Sequence, residues 1–489
     1  MYNEPAFSNL IYEYFVMRFK FQCYKCGDCL PSIEVLSRQF SVSPLTVKAA
    51  LKRLQDEGYV SIRHGKCTQV TFQQSEEACR KFKLNFFADR ISLYSGFNKA
   101  IALIFSPLYA KSFQSMDDTD LTYLRQMVER LNPDDLVNFY CYILQKVENP
   151  LIMNLFWETS LFLGFPSLSQ IEFPRFHSMD AIRERMNQLI EAGEKKNPQR
   201  ISDSHRTLES EVIDNFVHFV TDQLPKDAVR EPISFHWRIY RDRPQLCYSL
   251  ATCILHHIYL GDYCNLSFLP SYQKMAESYG VSVSTIRRTI RLLNEIGAVS
   301  SINGKGTQIL SLDEHKQEPN FSNPAIRRNL AYFINAFELL KLTIEGVSRE
   351  VLPALPASIR NDLIQQLEEL LQAGHCELAS NQLLVYISDY SPFAEIREVY
   401  EKLYLLMLWG IPLIRHRRKE SNLGEMTRQF TKEIVPALKQ EDFNRCAELL
   451  RDLFARQYPI AEDYLLRQGV EADELRLSPA IKLMFTEEQ

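Results

Sequence analysis

Between residues 30 and 72, apolar and polar positions fall into three successive rhythms. Pro31-Ser32 opens a short helical pattern that closes near Phe40. Val42-Ser43 makes a tight turn. Ser43 suits an N-cap, and Pro44 suits the first helical position, where no N–H is needed. Val47, Leu51 and Leu54 then recur at helical spacing until Gly58 ends the run. Tyr59–Arg63 and Cys67–Phe72 favour strands and flank His64-Gly65-Lys66, which predicts a hairpin with glycine at its tip.

The same pattern returns further along the chain. Residues 269–309 align with 30–70 without a gap, at an offset of 239. Leu30/Leu269, Pro31/Pro270, Ser32/Ser271, Ser43/Ser282, Thr46/Thr285, Leu54/Leu293, Gly58/Gly297, Lys66/Lys305 and Thr68/Thr307 are among the identical pairs. A repeat sets the architecture of a chain. Helix, turn, helix and hairpin make a winged helix-turn-helix, whose second helix enters the major groove of DNA.

The polar face of that helix and the hairpin tip carry the candidate contacts. They are Ser43, Thr46, Lys48, Lys52, Arg53, His64 and Lys66 in the first copy. In the second copy they are Ser282, Ser284, Thr285, Arg287, Arg288, Arg291 and Lys305. Cations meet phosphates, while hydroxyls and guanidinium groups meet base edges. Long cationic side chains also cover helices without binding anything. The same face is basic in both copies, which favours contact.

Each copy resembles the DNA-binding domain of the GntR family of bacterial transcription regulators. The matching features are an upstream helix with a tyrosine (Tyr12; Tyr248), the Gly27–Ser32 turn, Val42-Ser43-x-x-Thr46-Val47-Lys48 and its second-copy counterpart, the Leu54…Gly58 exit and the wing. Two departures stand in both copies. Glu34 and Gln273 replace an arginine usual after the Leu-Pro-Ser turn, and Pro44 and Val283 replace another after the N-cap. Cys67 also takes a wing position that Gly306 keeps as glycine. The resemblance implies helical domains that dimerise and bind a small effector. Dimers suit operators with two-fold symmetry, and a duplicated chain supplies that pairing within itself. One subclass holds a divalent metal through an Asp and three His, marked by Phe-His before Asn-Pro. Here Phe139-Tyr140 precedes Asn149-Pro150. His177, His205 and His218 remain as ligand candidates, and the expectation is no metal and no cofactor.

Net charge is -5, an odd balance for a DNA binder until it is mapped. Residues 1–72 hold 9 Lys+Arg against 6 Asp+Glu, giving +3, and residues 236–310 hold 8 against 4, giving +4. The rest therefore carries -12. Positive charge sits in the two readers, as local phosphate binding requires. The start lacks a secretory pattern, and the longest apolar stretch, Leu403–Ile414, is too short to span a bilayer. Eleven scattered cysteines suit a reducing cytoplasm.

Helical periodicity dominates elsewhere, as in Leu121–Leu131, Asp135–Val147, Met179–Ala192, Leu363–Leu371, Ile396–Trp409 and Phe443–Tyr458. Pro107, Pro133, Pro150, Pro166, Pro353, Pro392 and Pro412 are expected between helices. The expected fold class is mainly α: two winged helix-turn-helix domains, each followed by an all-α bundle, from an internal duplication. The expected divisions are 1–74 (first reader), 75–235 (first bundle), 236–312 (second reader) and 313–489 (second bundle). Leu161–Pro166 and Leu406–Pro412 look alike, which suits bundles that are copies too.

Two motifs admit sharper readings. Cys23-x2-Cys26-x2-Cys29 can open a metal or redox site, with Cys67 as a fourth thiol, although plain thiols are the common case. Arg415-His416-Arg417-Arg418-Lys419 reads as a solvated helix end or as an anion site. Three functions compete. The first is a cytoplasmic regulator that binds double-stranded DNA as an intramolecular pseudo-dimer, senses a small, anionic effector, has no membrane partner and leaves further homodimer formation open. The second is an interaction protein whose winged domains have lost operator recognition. The third is an enzyme of the GntR branch that fuses a reader to an aminotransferase. Only 16 glycines and the absence of phosphate-loop or nucleophile motifs argue against catalysis. The regulator is the expected function.

Overall fold

The computed structural model describes residues 7–40, 42–63, 65–130, 135–164, 179–207, 217, 221, 233–239, 246–312 and 318–476. The chain divides into two compact units, Pro5–Arg243 and Pro244–Arg476. Each contains one reader and helices that pack on it.

In the first unit, α1 (Phe7–Lys20), α2 (Ile33–Phe40) and α3 (Pro44–Asp56) precede a two-stranded wing, β1 (Val60–Ser61) and β2 (Gln69–Val70). The wing is antiparallel, pairing Val60 with Val70 and Ser61 with Gln69. Val47, Ala50, Leu51 and Leu54 bury one face of α3, so its opposite face is left to solvent. The bundle follows as α4 (Glu76–Ala88), α5 (Ile91–Gln114), α6 (Asp118–Glu129), α7 (Asp135–Gln145), α8 (Pro150–Leu163) and α9 (Met179–Glu194). Residues 198–207 are helical as well. Asn149 caps α8 by accepting from the N–H groups of Leu151 and Ile152, and nearly every residue of α8 is buried. Gly164 ends it at φ 76°, where a Cβ would lie 2.9 Å from the Phe86 ring. Glycine is therefore needed there for both backbone and space. Aromatic rings lock reader to bundle: Phe21 meets Phe82, Phe86 and Phe87, and Tyr14 and Phe40 meet Trp157.

The second unit repeats the reader as α10 (Leu246–Leu260), α11 (Tyr272–Tyr279), α12 (Val283–Glu295), β3 (Val299–Ile302) and β4 (Gly306–Ile309). Its wing ladder is longer, running from Val299–Ile309 to Ile302–Gly306. The bundle comprises α13 (Pro324–Ala354), α14 (Ala357–Ala373), α15 (Ala379–Tyr390), α16 (Ala394–Met407), a 3₁₀ segment Leu408–Leu413, α17 (Ile414–Glu420), α18 (Leu423–Lys439), α19 (Phe443–Arg467) and the short α20 (Ala472–Leu475). Long α13 runs through this core with eighteen buried residues, enough to make it the packing axis. Buried Trp409 donates its indole N–H to Thr252 of α10 at 2.8 Å, joining reader to bundle.

The mainly α class with two small hairpins is as expected. The prolines correct the expectation in part. Pro150 opens α8 and Pro392 precedes α16, but Pro107 lies inside α5, Pro353 near the end of α13 and Pro412 inside the 3₁₀ segment. Burial on neighbouring helices outweighs a lost N–H bond at such sites. Pro133 and Pro166 lie outside the described residues. No helix among the described residues is long and apolar enough to cross a membrane.

Candidate nucleic-acid interface

The two recognition helices begin alike. Ser43 and Ser282 each accept, through the hydroxyl, the backbone N–H three residues on, at 3.2 Å. Each hydroxyl also bonds the next threonine, Thr46 or Thr285, at 2.9 Å. Ser284 joins the second cluster, 2.8 Å from Ser282. The caps hold the helix ends in shape and place these hydroxyls together at the exposed N-terminus.

Further along α12, Arg287, Arg288 and Arg291 are exposed, and their side chains have no ion pair or hydrogen bond among the described residues. Lys305 at the wing is equally open. Lys48 and Lys66 stand likewise in the first reader. Lys52 is exposed but paired with Asp56 at 2.7 Å, a surface bridge cheap to exchange for phosphate. His64 lies outside the described residues.

Arg53, exposed on the same helix, also has neighbours on α1. Its guanidinium lies 3.6 Å over the Tyr12 ring and bonds Glu57 at 3.0 Å, while the Tyr12 hydroxyl also donates to Glu57. Burial, then the Glu57 hydrogen bond, pushes the Tyr12 phenol up to about 12. Hydrogen bonds from Tyr12 and Arg53 hold the Glu57 carboxyl below its ordinary value. The aligned residue in the second reader is Leu292, which is buried. Arg53 thus packs on α1 through Tyr12, while its side chain stays 49% exposed.

The wings differ covalently. Cys29 and Cys67 form a disulfide, which corrects the reading of both as plain thiols. Cys23 and Cys26 are thiols outside that bond. Cysteine spacing alone misses the bond, because the antiparallel bridge that brings Cys29 beside Gln69 is tertiary.

Two arginines of the basic run are buried, which corrects its reading as a solvated helix end. Arg415 is 2% exposed and donates to the Gly297 carbonyl at 2.8 Å, at the exit of α12. Arg417 is 6% exposed and donates to Gly410 at 3.2 Å, and Arg418 pairs with Glu377. Burial pulls the Arg417 guanidinium down to about 10. Arg417 shares a small cavity of about 20 Å³ with Glu377, Ser380, Asn381 and Gln457. Arg417 Nε, Glu377 Oε2 and Asn381 Oδ1 are buried there without a hydrogen-bond partner. Such atoms are costly unless something fills their valences.

In the first bundle, His205 is buried, 3.3 Å by Nδ1 from the Ser106 hydroxyl, with its ring against Tyr109 and Tyr140. Burial, helped by Arg206, pulls its imidazole down to about 3. Tyr140 stands where the metal-binding subclass has histidine. His177 and His218 lie outside the described residues. Among the described residues, no group of three or more His, Cys, Asp or Glu is placed to hold a metal.

Two capped recognition helices, each with a hairpin wing, make this a tandem winged helix-turn-helix protein. The family model for bacterial regulatory proteins of the gntR family matches residues 8–70 and 249–309, so both readers are GntR-family domains. No curated protein matches the chain. Solved structures similar to it include Lar, which controls the expression of the Listeria monocytogenes agr system, at 15% identity and TM-score 0.21 over 46% of this chain and 99% of that one. A Streptococcus agalactiae GntR protein is similar at 20% identity and TM-score 0.21, over 44% and 99%. E. coli McbR/YncC is similar at 15% identity and TM-score 0.23, over 44% and 98%. TM-scores this low add nothing to the fold described above.

Proposed function

We propose that this chain regulates transcription by binding one DNA site with both readers, as an intramolecular pseudo-dimer. Its two recognition helices would enter successive major grooves, with half-site centres roughly one helical turn apart. The observation that carries this reading is a matched polar face on each recognition helix, with bonded hydroxyls at its start and exposed cations beyond them. Ser43, Thr46, Lys48 and Lys52 make it in one reader, and Ser282, Ser284, Thr285, Arg287, Arg288 and Arg291 in the other. Lys66 and Lys305 extend it onto the wings. The divisions at 74/75, 235/236 and 312/313 belong to the same proposal, as do a non-enzymatic role and work in the cytoplasm, where such DNA lies.

The helical bundles sense a small effector. Support comes from the second bundle, where α17 carries both Arg417, in an under-bonded polar cavity, and Arg415, on the end of recognition helix α12. The cavity at about 20 Å³ has room for roughly one water, so an acid would reach Arg417 only as α17 moves, and that movement would reach Gly297 directly.

The test is selection of bound genomic fragments by the purified chain at physiological salt. One enriched site with two unlike half-sites is the expected result. Nothing above background, with candidate acids present or absent, would instead favour an interaction protein. The arginines missing at Glu34, Gln273, Pro44 and Val283 would explain that outcome.

A further inference from the structure

We propose that Cys29 and Cys67 are a reversible dithiol–disulfide site that sets the order of the first reader's wing, and through it that reader's hold on DNA. The two residues are bonded, with Cα atoms 5.7 Å apart, inside the range a disulfide spans. Both are exposed, so oxidants and reductants reach them.

The second reader supplies an internal control. Its backbone makes the same isolated bridge, Phe268 to Gln308, that Cys29 makes to Gln69. There the aligned pair is Phe268 and Gly306, and the Phe268 ring lies 3.9 Å from where a Cβ on Gly306 would sit. One fold therefore has two solutions for the same contact: an aromatic ring over glycine, or a covalent bond. The ladders differ in step. The second wing pairs four residues on each strand, and the first pairs two. A short ladder holds a hairpin weakly, so the bond replaces what backbone pairing does not provide. Cys23 and Cys26 remain thiols, and Cys26 Sγ is engaged by the Gln73 amide at 3.1 Å.

The chemistry needs hydrogen peroxide as oxidant. One thiolate attacks the peroxide, the O–O bond breaks, a sulfenic acid forms and hydroxide leaves. The second thiol attacks that sulfur, the S–O bond breaks, water leaves and the S–S bond closes. A dithiol reductant reverses this by exchange, giving two thiols and its own disulfide. Only one of the two readers is gated in this way, because the second has no cysteine at either position.

The effect on the wing stands by itself, while the effect on DNA rests on the proposed function. The experiment uses the full chain in dithiothreitol, after hydrogen peroxide, and after re-reduction. Peptide mapping reads the cross-link, amide exchange reads residues 60–70, and titration with a selected fragment reads affinity. Peroxide should form the Cys29–Cys67 link and slow wing exchange about tenfold. It should also tighten binding about threefold, because a pre-ordered wing loses less freedom on docking. Dithiothreitol should undo all three effects. Cys67→Gly, which copies Gly306, and Cys29→Ser should each abolish the response. Absence of the link, or a link that leaves wing exchange unchanged, overturns the site. A link that slows exchange but leaves the affinity of a bound fragment unchanged overturns the gating of DNA. Failure to retain DNA in any redox state, with wing exchange still responding, refutes the proposed function and leaves the redox site standing.

Discussion

Arg53 and Leu292 are aligned, and the pair shows one position packed in two ways, half-exposed in one reader and buried in the other. Leu292 is buried in the second reader, and Arg53 makes the same position polar through Tyr12 and Glu57. Arg287, Arg288 and Arg291 are exposed and unpaired among the described residues. Replacing all three with alanine should weaken DNA binding and flatten its dependence on salt by about 0.9 per lost phosphate contact. Arg53→Met should leave that slope unchanged. Titrations across a salt series decide this, and equal slopes for the triple variant and the parent would remove α12 from the interface. His205 gives a second expectation at this scale. Its folded imidazole titrates near 3, well below the ordinary 6.5, so the unfolded chain binds the proton first. Its contribution is therefore intact above about pH 6.5 and is lost as pH falls toward 3. Between pH 7 and 5 the loss should be about 2 kcal/mol, at roughly 1.4 kcal/mol per pH unit. Urea unfolding of the parent and of His205→Gln tests it. An identical pH slope in the two would show that His205 is not the group responsible.

Helix α17 shows what a sequence conceals at the level of the element. Its letters, Arg415 to Lys419, look like a cationic end in water, yet Arg415 and Arg417 are almost fully buried. Burial of Arg415 depends on the Gly297 carbonyl that tertiary packing brings to it, and Glu377, which pairs with Arg418 and lines the Arg417 cavity, is equally remote in sequence. The reader elements were legible for the opposite reason. Ser43-Pro44 and Gly58 mark their ends locally, and the apolar spacing of α3 is that of one buried face. Prolines misled inside α5 and α13 because helix packing tolerates them where a local rule would stop the helix. The bond between Cys29 and Cys67 was hidden in the same way, though its alignment with Phe268 and Gly306 was already present in the gapless repeat. If α17 links the cavity to α12, Arg415→Met should leave ligand-free DNA binding within about threefold yet remove the response to an effector. Arg417→Met should lose the effector itself. Thermal shift with a panel of small carboxylic acids, followed by DNA titration, separates the two variants. An Arg415→Met chain whose DNA affinity still responds fully to the acid would sever the proposed link.

At the scale of the whole molecule, a net charge of -5 is compatible with DNA binding only because the readers carry +3 and +4 in their own segments. The acidic remainder repels the duplex wherever a reader is not seated on it, which favours docking through the readers. If both readers hold one site, as proposed, the second docking event is intramolecular. Its strength then depends on an effective concentration rather than on how much protein is present. Unlike a homodimer, such a chain should saturate one site at one chain per duplex, and its affinity should not fall on dilution through dimer dissociation. Disabling either reader should cost about a hundredfold in affinity, since the avidity of the pair is lost along with the contacts. Inserting five base pairs between the half-sites turns one to the far side of the duplex and should cost nearly as much, whereas ten base pairs restore the facing and part of the affinity. Mass measurement of the complex and a spacer series together test this. Two chains per site would assign the pairing to separate molecules, and indifference to spacing would mean that the two readers never hold one site together.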